Sequence, residues 1–206
     1  MVKVFAPATV ANLCSGFDIL GLCLNNLGDE ITIEKIKEKK VVIESNLDLP
    51  VDPKQNTAGA GLISLIKDKK LSYGFKVYIK KNIPIGSGLG GSASCAVGAI
   101  VGANQLLENK MGSKEMLLYA LEGEGATGSK HLDNITPCLL GGITMALPKS
   151  QKQIPYYKNL KVLIIHQDVE ILTSQSRKVL DTKLSVKQHL KQSQALVSLI
   201  KGLEYK

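Results

Sequence analysis

Apolar and polar residues alternate in several short segments of the chain, which is the pattern of β-strands with one buried face. The clearest alternation covers residues 30–36, where Ile31 and Ile33 are each flanked by polar residues. The strand before the glycine-rich part of the chain is predicted over residues 75–81. Further strands are predicted over residues 2–5, 40–44, 142–147 and 161–165.

Helical spacing of apolar or small residues appears in four other segments. Helices are predicted over residues 56–67, from Ser92 onward, over 113–121 and through most of 174–206. Ser113 is expected to cap the third of these helices, which carries an acidic residue near its start as the helix dipole favours. The intervening residues 122–130, rich in Gly and Glu, are predicted to form a loop. This mixture, without repeats or low-complexity linkers, indicates an α+β fold.

Composition narrows the classes of protein that the chain can represent. The 206 residues can bury a normal core, and no apolar run approaches the length of a membrane span. The four cysteines are widely spread without a C-x-x-C pair, so we expect buried cytosolic thiols rather than zinc ligands. The N-terminus does not read as a secretion signal, which predicts a cytoplasmic protein. The net charge is +8, but the lysines are dispersed and not interleaved with aromatic residues, which argues against nucleic-acid binding.

The glycine-rich segment after residue 81 is the strongest chemical signal. Glycines at 86, 88, 90 and 91 lead into a helix of small residues, and such a loop lets backbone amides surround a phosphate. A Walker loop would need Lys before Ser92, where Gly91 stands. A dinucleotide site would need an acidic residue after a second strand, but the candidate Glu108 ends the helix itself. A plain glycine-rich turn remains the structural alternative.

The same segment resembles the phosphate loop of the galactokinase, homoserine kinase, mevalonate kinase and phosphomevalonate kinase superfamily. Pro84-Ile-Gly-Ser-Gly-Leu-Gly-Gly-Ser-Ala93 is similar to that family's Pro-x-x-x-Gly-Leu-Gly-Ser-Ser-Ala, with Gly91 in place of the first paired serine. The resemblance implies ATP and Mg²⁺ as cofactors, with Ser92 contacting the metal. It implies nucleotide contacts from Asn56, Pro84, Ile85, Gly86, Ser87, Gly88, Leu89, Gly90, Gly91, Ser92, Ala93 and Ser94.

Three further stretches resemble homoserine kinases in particular. The first, residues 6–21, is similar to the family pattern A-P-A-T-x-A-N-x-G-x-G-F-D-x-L-G, with Cys14 in place of a glycine. The resemblance implies that Asn12 and Asp18 bind homoserine, and a carboxylate can indeed hold an ammonium group. Alternatively, both side chains simply pin a loop through bonds to its backbone.

The second stretch, residues 128–142, is close to the family's G-S-x-H-x-D-N-x-x-P-x-x-x-G-G. The resemblance implies that His131 lies in the substrate pocket and that Asn134 stabilises the transferring phosphoryl group. Asp133 is the weaker catalytic candidate, because a loose transition state needs positioning and charge stabilisation more than a strong base. An acidic residue upstream completes magnesium coordination in the family, and Glu124 is preferred for that role over Glu122.

The third stretch, residues 166–180, carries Thr173 and Arg177, which match residues that bind the amino-acid substrate in the family. A guanidinium can grip a carboxylate with two hydrogen bonds. The resemblance covers essentially the whole chain, but the family's later G-x-G-P-[ST] loop has no counterpart after Ile165. A truncated homoserine kinase is therefore expected.

The resemblance implies a fold and a reaction. The fold is a ribosomal protein S5 domain 2-like N-terminal domain with a left-handed βαβ unit over residues 1–145, and an incomplete ferredoxin-like domain over 146–206. The reaction is ATP-dependent phosphorylation of the L-homoserine side-chain hydroxyl, a step toward threonine, and a homodimer is one expected assembly. Two alternatives stay open: an inactive nucleotide-binding remnant or partner subunit, and a kinase for another alcohol.

Overall fold

A six-stranded sheet organises the molecule around one long strand. The computed structural model describes residues 1–128, 130–165, 180 and 183–204. Its central strand β2 (Leu20–Ile36) pairs antiparallel with β1 (Val2–Ala11) along most of its length. The second half of β2 pairs with β4 (Gly74–Lys80), and its first residues pair with β5 (Ile143–Leu147). One strand therefore links the predicted substrate loop before Leu20 to the strand that enters the glycine-rich loop.

The sheet is completed by β3 (Val41–Ser45), parallel to β4, and β6 (Ser150–Gln153), antiparallel to β5. Five helices accompany it in the described residues: α1 (Thr57–Asp68), α2 (Gly91–Leu106), α3 (Ser113–Glu124), α4 (Leu132–Leu140) and α5 (Val186–Glu204). Short 3₁₀ turns lie at Cys14–Gly16 and Gly125–Thr127. The succession β3–α1–β4 is a βαβ unit, and the whole is the α+β fold that the sequence predicts.

The small residues of α2 let this helix lie close to the sheet. A Cβ on Gly98 would come within 2.5 Å of Ile31, and one on Gly102 within 2.5 Å of Ile33. Helices α1, α3 and α4 contact α2, and together they cover the main core. Because α2 is fixed against β1 and β2 along its length, its N-terminus is held firmly at one edge of the core.

A second, smaller core ties the tail to the start of β2. Leu20, Ile143 and Ile154 are buried there. Partly buried apolar residues pack on it from the loop before β2, from strands β2 and β5 and from α5. They are Leu13, Ile19, Leu22, Met145, Leu196, Leu199, Ile200 and Leu203. The predicted division at residues 145 and 146 falls inside β5, and it stays a prediction.

Several sequence predictions of local structure are wrong. Residues 161–165 form no strand: Leu163 and Ile165 are 85% and 83% exposed, and no described strand pairs with them. Since an isolated strand has no partner for its backbone groups, an apolar run alone does not form one. Ser113 does not cap α3, because Gly112 is the N-cap and Ser113 is already helical. The predicted loop over 122–130 begins only after Glu124.

Helix α4 was not predicted by the sequence analysis. It contains Pro137, which removes the hydrogen bond that the carbonyl of Asp133 would otherwise accept. Among the described residues, no helix is long and apolar enough to cross a membrane.

Candidate active site

The glycine-rich loop connects β4 to α2 and leaves the N-terminus of that helix open. Gly86, Gly88 and Gly90 adopt φ angles of 73°, 71° and 67°, a left-handed conformation that disfavours other residues. Gly90 is the N-cap and has no side chain with which to cap the helix. The first helical bond runs from Ser94 N to Gly90 O at 2.9 Å, so three backbone N–H groups precede it. The loop therefore offers amides and the positive end of a helix dipole to an anion.

One buried carboxylate joins the two ends of this loop. Asp29 Oδ1 accepts hydrogen bonds from Asn82 N at 2.8 Å and Ile83 N at 2.9 Å, where the loop begins. Its Oδ2 accepts from Lys81 Nζ and from Ser94 Oγ, and Ser94 lies in the first turn of α2. Lys81 Nζ also donates to Gly91 O at 2.9 Å. The side chains of Asp29 and Lys81 are 0% and 4% exposed, so this buried ion pair holds both stems together.

Two threonines connect the loop to other elements. Thr57 Oγ1, at the start of α1, donates to Ser92 O at 2.9 Å. Thr9 in β1 donates its N–H to Leu89 O at 3.1 Å, and its Oγ1 donates to Asn134 Oδ1 at 2.8 Å. A Cβ on Gly90 would lie 2.0 Å from Thr9 Oγ1, so only glycine fits beside this threonine.

The predicted nucleotide residue Asn56 has a structural task. It is the N-cap of α1, and its Oδ1 accepts from Ala58 N at 3.0 Å and Gly59 N at 3.4 Å. Its amide nitrogen donates to Pro50 O at 2.9 Å, and the residue is 4% exposed. The side chain of Asn56 thus has both ends engaged, and it fixes the helix whose Thr57 contacts the loop.

The residues predicted to hold magnesium lie together beside the loop. Glu124, at the end of α3, is 7% exposed, and its Oε1 has no hydrogen-bond partner in the described residues. Burial raises the pKa of Glu124, a hydrogen bond with Ser92 lowers it, and Asp133 raises it. The alternative, Glu122, is half exposed and bonded to Lys130 Nζ at 2.8 Å and 2.9 Å. A buried carboxylate oxygen left open next to a hydroxyl fits a hard cation, and this arrangement favours Glu124.

The described residues contain no group of three or more His, Cys, Asp or Glu side chains that could hold a metal. All four thiols are free. Cys95 and Cys138 are buried as predicted, whereas Cys23 is half-buried and Cys14 is exposed, so the prediction of buried thiols is wrong for Cys14. Burial raises the pKa of Cys95 to about 11.

Helix α4 brings two more polar residues to the same place. Asp133 is 3% exposed, and its Oδ1 has no partner among the described residues. Burial and, to a lesser extent, Asp18 raise the pKa of Asp133, while His131 lowers it. Asn134, the next residue, is half-buried, and its Oδ1 would lie 3.0 Å from a Cβ on Gly90. The candidate catalytic amide and the phosphate loop are therefore in direct proximity.

The loop between β1 and β2 carries the predicted substrate residues. His131 Nδ1 lies 3.7 Å from Asp18 Oδ1, so two of these residues meet. Asn12 Oδ1 accepts a hydrogen bond from Asp18 N at 2.9 Å. This is a side-chain-to-backbone bond within the loop, the structural alternative stated for Asn12 in the sequence analysis. Asn12, Cys14 and Asp18 all have positive φ, at 72°, 62° and 57°. Cys14 therefore occupies a backbone conformation suited to glycine, the residue found there in the family pattern.

The remaining predicted substrate residues, Thr173 and Arg177, lie outside the described residues.

Comparison with known proteins identifies the family. A sequence model of the GHMP kinases N terminal domain matches residues 56–142. The homoserine kinase of Xylella fastidiosa (strain 9a5c) is 36% identical over 97% of this chain and 64% of its own length. That of Buchnera aphidicola subsp. Schizaphis graminum is 35% identical over 97% of this chain and 68% of its own. The chain belongs to the homoserine kinase family of the GHMP kinases.

A solved structure agrees with this family assignment. The crystal structure of homoserine kinase from Cytophaga hutchinsonii superposes on this chain with a TM-score of 0.92 and 38% identity, over 98% of this chain and 67% of that one. The chain spans about 64% of the length of the Xylella relative.

Three residues of the site were not predicted from the sequence: Thr9, Asp29 and Lys81. Thr9 is the threonine of the A-P-A-T segment, but a threonine at this position does not indicate a bond to residue 134. Asp29 follows Leu27 and Gly28, just before the clear alternation of β2, and Lys81 is one of many lysines. The available signal was that Asp29 and Lys81 continue the buried side of the alternation in β2 and β4. Charged residues are almost never fully buried unless paired, so this placement indicates an ion pair.

Proposed function

We propose that this protein transfers the γ-phosphoryl group of ATP to the side-chain hydroxyl of L-homoserine, giving O-phospho-L-homoserine on the route to threonine. The observation that carries the proposal is the proximity of Asn134 to the phosphate loop: its Oδ1 would lie 3.0 Å from a Cβ on Gly90. The family of the chain and the homoserine kinase names of its relatives support the choice of substrate.

The nucleotide phosphates would be held by backbone amides of residues 86–94. The left-handed glycines and the open N-terminus of α2 support this role, because they present N–H groups rather than side chains. Ser92 and Glu124 would hold Mg²⁺. When bound, the cation would neutralise part of the charge on the phosphate oxygens.

The amino-acid substrate would bind in the loop between β1 and β2. We assign its ammonium group to Asp18, with His131 beside it at 3.7 Å and Asn12 at the pinned start of the loop. Thr173 and Arg177 are proposed to hold the substrate carboxylate, on the basis of the sequence pattern alone.

Asn134 would stabilise the phosphoryl group during its transfer. Transfer through a loose transition state spreads negative charge over the equatorial oxygens, which an amide N–H stabilises. Asp133 is a second candidate for proton acceptance: its carboxylate is buried beside Asn134, and burial and the charge of Asp18 raise its pKa while His131 lowers it.

We further propose a cytoplasmic protein that acts on a small molecule, with no nucleic-acid or membrane partner and a homodimer as its assembly.

The proposal is tested by mass-spectrometric detection of O-phosphohomoserine after incubation with Mg-ATP. Mevalonate, galactose and a sample without acceptor serve as parallel reactions, and Asn134→Ala as the matched variant. Product from homoserine alone, strongly reduced in the variant, is the expected result. Product from another alcohol would replace the substrate assignment, and no product from any acceptor would refute the activity of this chain.

A further inference from the structure

Thr9 occupies a position between the phosphate loop and the candidate catalytic amide. It is 0% exposed in β1, and its backbone N–H is bonded to Leu89 O in the loop at 3.1 Å. Its hydroxyl donates to Asn134 Oδ1 at 2.8 Å. This short hydrogen bond spans 125 positions of sequence, so the fold, and not local chain geometry, brings the two side chains together.

The hydroxyl can set the orientation of the Asn134 amide. A threonine has one O–H donor, and here it is directed at the amide oxygen, so the opposite side of the amide group is the Nδ2 donor. In the part of the chain that the structure describes, no protein group accepts a hydrogen bond from Asn134 Nδ2. If the amide were flipped, its N–H₂ would face the Thr9 hydroxyl and its oxygen would take the place of the free Nδ2.

We propose that Thr9 is a positioning residue for phosphoryl transfer: it holds the Asn134 amide by its oxygen and so leaves Nδ2 free to donate to the phosphoryl group. This inference rests on the proposed function. An oxygen in place of that nitrogen would repel the charge that develops on the phosphate oxygens, whereas a correctly oriented donor stabilises it without reorganisation. Thr9 does not touch the reacting atoms and acts only through Asn134.

The kinetic test uses Thr9→Val, which keeps the shape of the side chain and removes its hydroxyl. Removing a stabilising donor outright costs about 10²–10³ in kcat, so loss of its orientation is expected to lower kcat at least ~10-fold. The KM values for ATP and homoserine should change little. Thr9→Ser restores the hydroxyl and is expected to recover most of kcat, while the melting temperatures show that the variants are folded.

A double-mutant cycle separates positioning from a merely structural effect. In an Asn134→Ala background Thr9→Val should cause no further loss of kcat, because there is no amide left to orient. The matched control is Thr144→Val, another fully buried threonine, whose hydroxyl makes only a long 3.4 Å bond to Gly21 O. An equal fold-loss from Thr9→Val in both backgrounds, or the same loss from Thr144→Val, would overturn the inference.

A second readout does not depend on turnover. The side-chain ¹⁵N–H₂ signals of Asn134, assigned by their absence in Asn134→Ala, should shift in Thr9→Val and stay near their original positions in Thr9→Ser. Unchanged signals in Thr9→Val would refute the inference even if the kinase is active. If instead Asn134→Ala leaves kcat intact while Thr9→Val shifts the signals, the bond is established and the proposed role of Asn134 fails.

Discussion

At the scale of single residues, the two glutamates near the end of α3 show how environment decides function. Glu122 and Glu124 have the same chemistry, and sequence spacing left both as candidates for the metal. The Glu122 carboxylate is half exposed and already bonded to Lys130, whereas Glu124 is 7% exposed and its Oε1 has no partner among the residues that the structure describes. Burying a carboxylate without full compensation costs stability, so a cation bound to Glu124 should stabilise the folded protein.

We therefore predict that Glu124→Gln weakens Mg²⁺ binding and that Glu122→Gln does not. Glu124→Gln should raise the Mg²⁺ concentration needed for half-maximal nucleotide binding by at least the ~10-fold that outer-shell partners of metals typically contribute. Its free energy of unfolding without metal should stay within about 1 kcal/mol of the unmodified protein, because a neutral amide costs less to bury than a charge. Magnesium titrations of nucleotide binding and urea unfolding measure the two effects. An equal Mg²⁺ shift in Glu122→Gln would contradict the assignment.

At the scale of elements, the strands with clear alternation were predictable and α4 was not. Ile31, Ile33 and Val77 alternate with polar neighbours, and all three are fully buried, because period-two alternation directly reports one buried face. Pro137 lies inside this helix (Leu132–Leu140), and proline disfavours a helix interior. The carbonyl of Asp133, which the proline leaves without its helical bond, faces Gly21, where a Cβ would lie only 1.8 Å away. Only the folded chain supplies that neighbour.

The ion pair between Asp29 and Lys81 gives a prediction about the stems of the phosphate loop. Lys81→Met leaves Asp29 buried with its charge uncompensated, so it should lower the free energy of unfolding by about 3–5 kcal/mol. The Asp29→Asn, Lys81→Met double variant should lose clearly less than the sum of the single variants, since neither charge is left alone. Urea unfolding of all four proteins measures this coupling.

The exposed pair of Lys76 and Glu44, 2.9 Å apart on neighbouring strands, is the matched control. Removing either partner there should cost less than about 1 kcal/mol, because water screens both charges. Strict additivity for Asp29 and Lys81, or a cost as small as that of the surface pair, would show that the buried pair does not hold the loop stems.

At the scale of the whole molecule, the sequence predicted the parts of the site better than their connections. The motif residues Asn12, Asp18, His131 and Asn134 come from two distant segments, and pattern resemblance was enough to select them. The bond from Thr9 to Asn134 and the convergence of four N–H and O–H donors and the Cys95 thiol on Asp29 depend on strand pairing and helix packing. Such long-range contacts leave little mark on local sequence.

The tail helix α5 extends this argument to the substrate loop. Gln192 Nε2 donates to Ser15 O at 2.7 Å, and apolar residues of α5 share the second core with Leu13 and Ile19 on either side of that loop. The loop holds several non-glycine residues at positive φ, a conformation that persists only when its surroundings enforce it. Helix α5 therefore stabilises the loop that carries Asn12 and Asp18.

We accordingly predict that Gln192→Ala weakens binding of the amino-acid substrate and not of the nucleotide. Losing a hydrogen bond worth about 1 kcal/mol should raise the homoserine KM about fivefold, because the loop then samples other conformations. The ATP KM should stay constant, since the phosphate loop is held separately by Asp29. Gln194→Ala is the matched control: Gln194 is exposed on the same helix, and its side chain makes no hydrogen bond within the described part of the chain. If both KM values rose together, or if Gln194→Ala had the same effect, α5 would have only a general stabilising role.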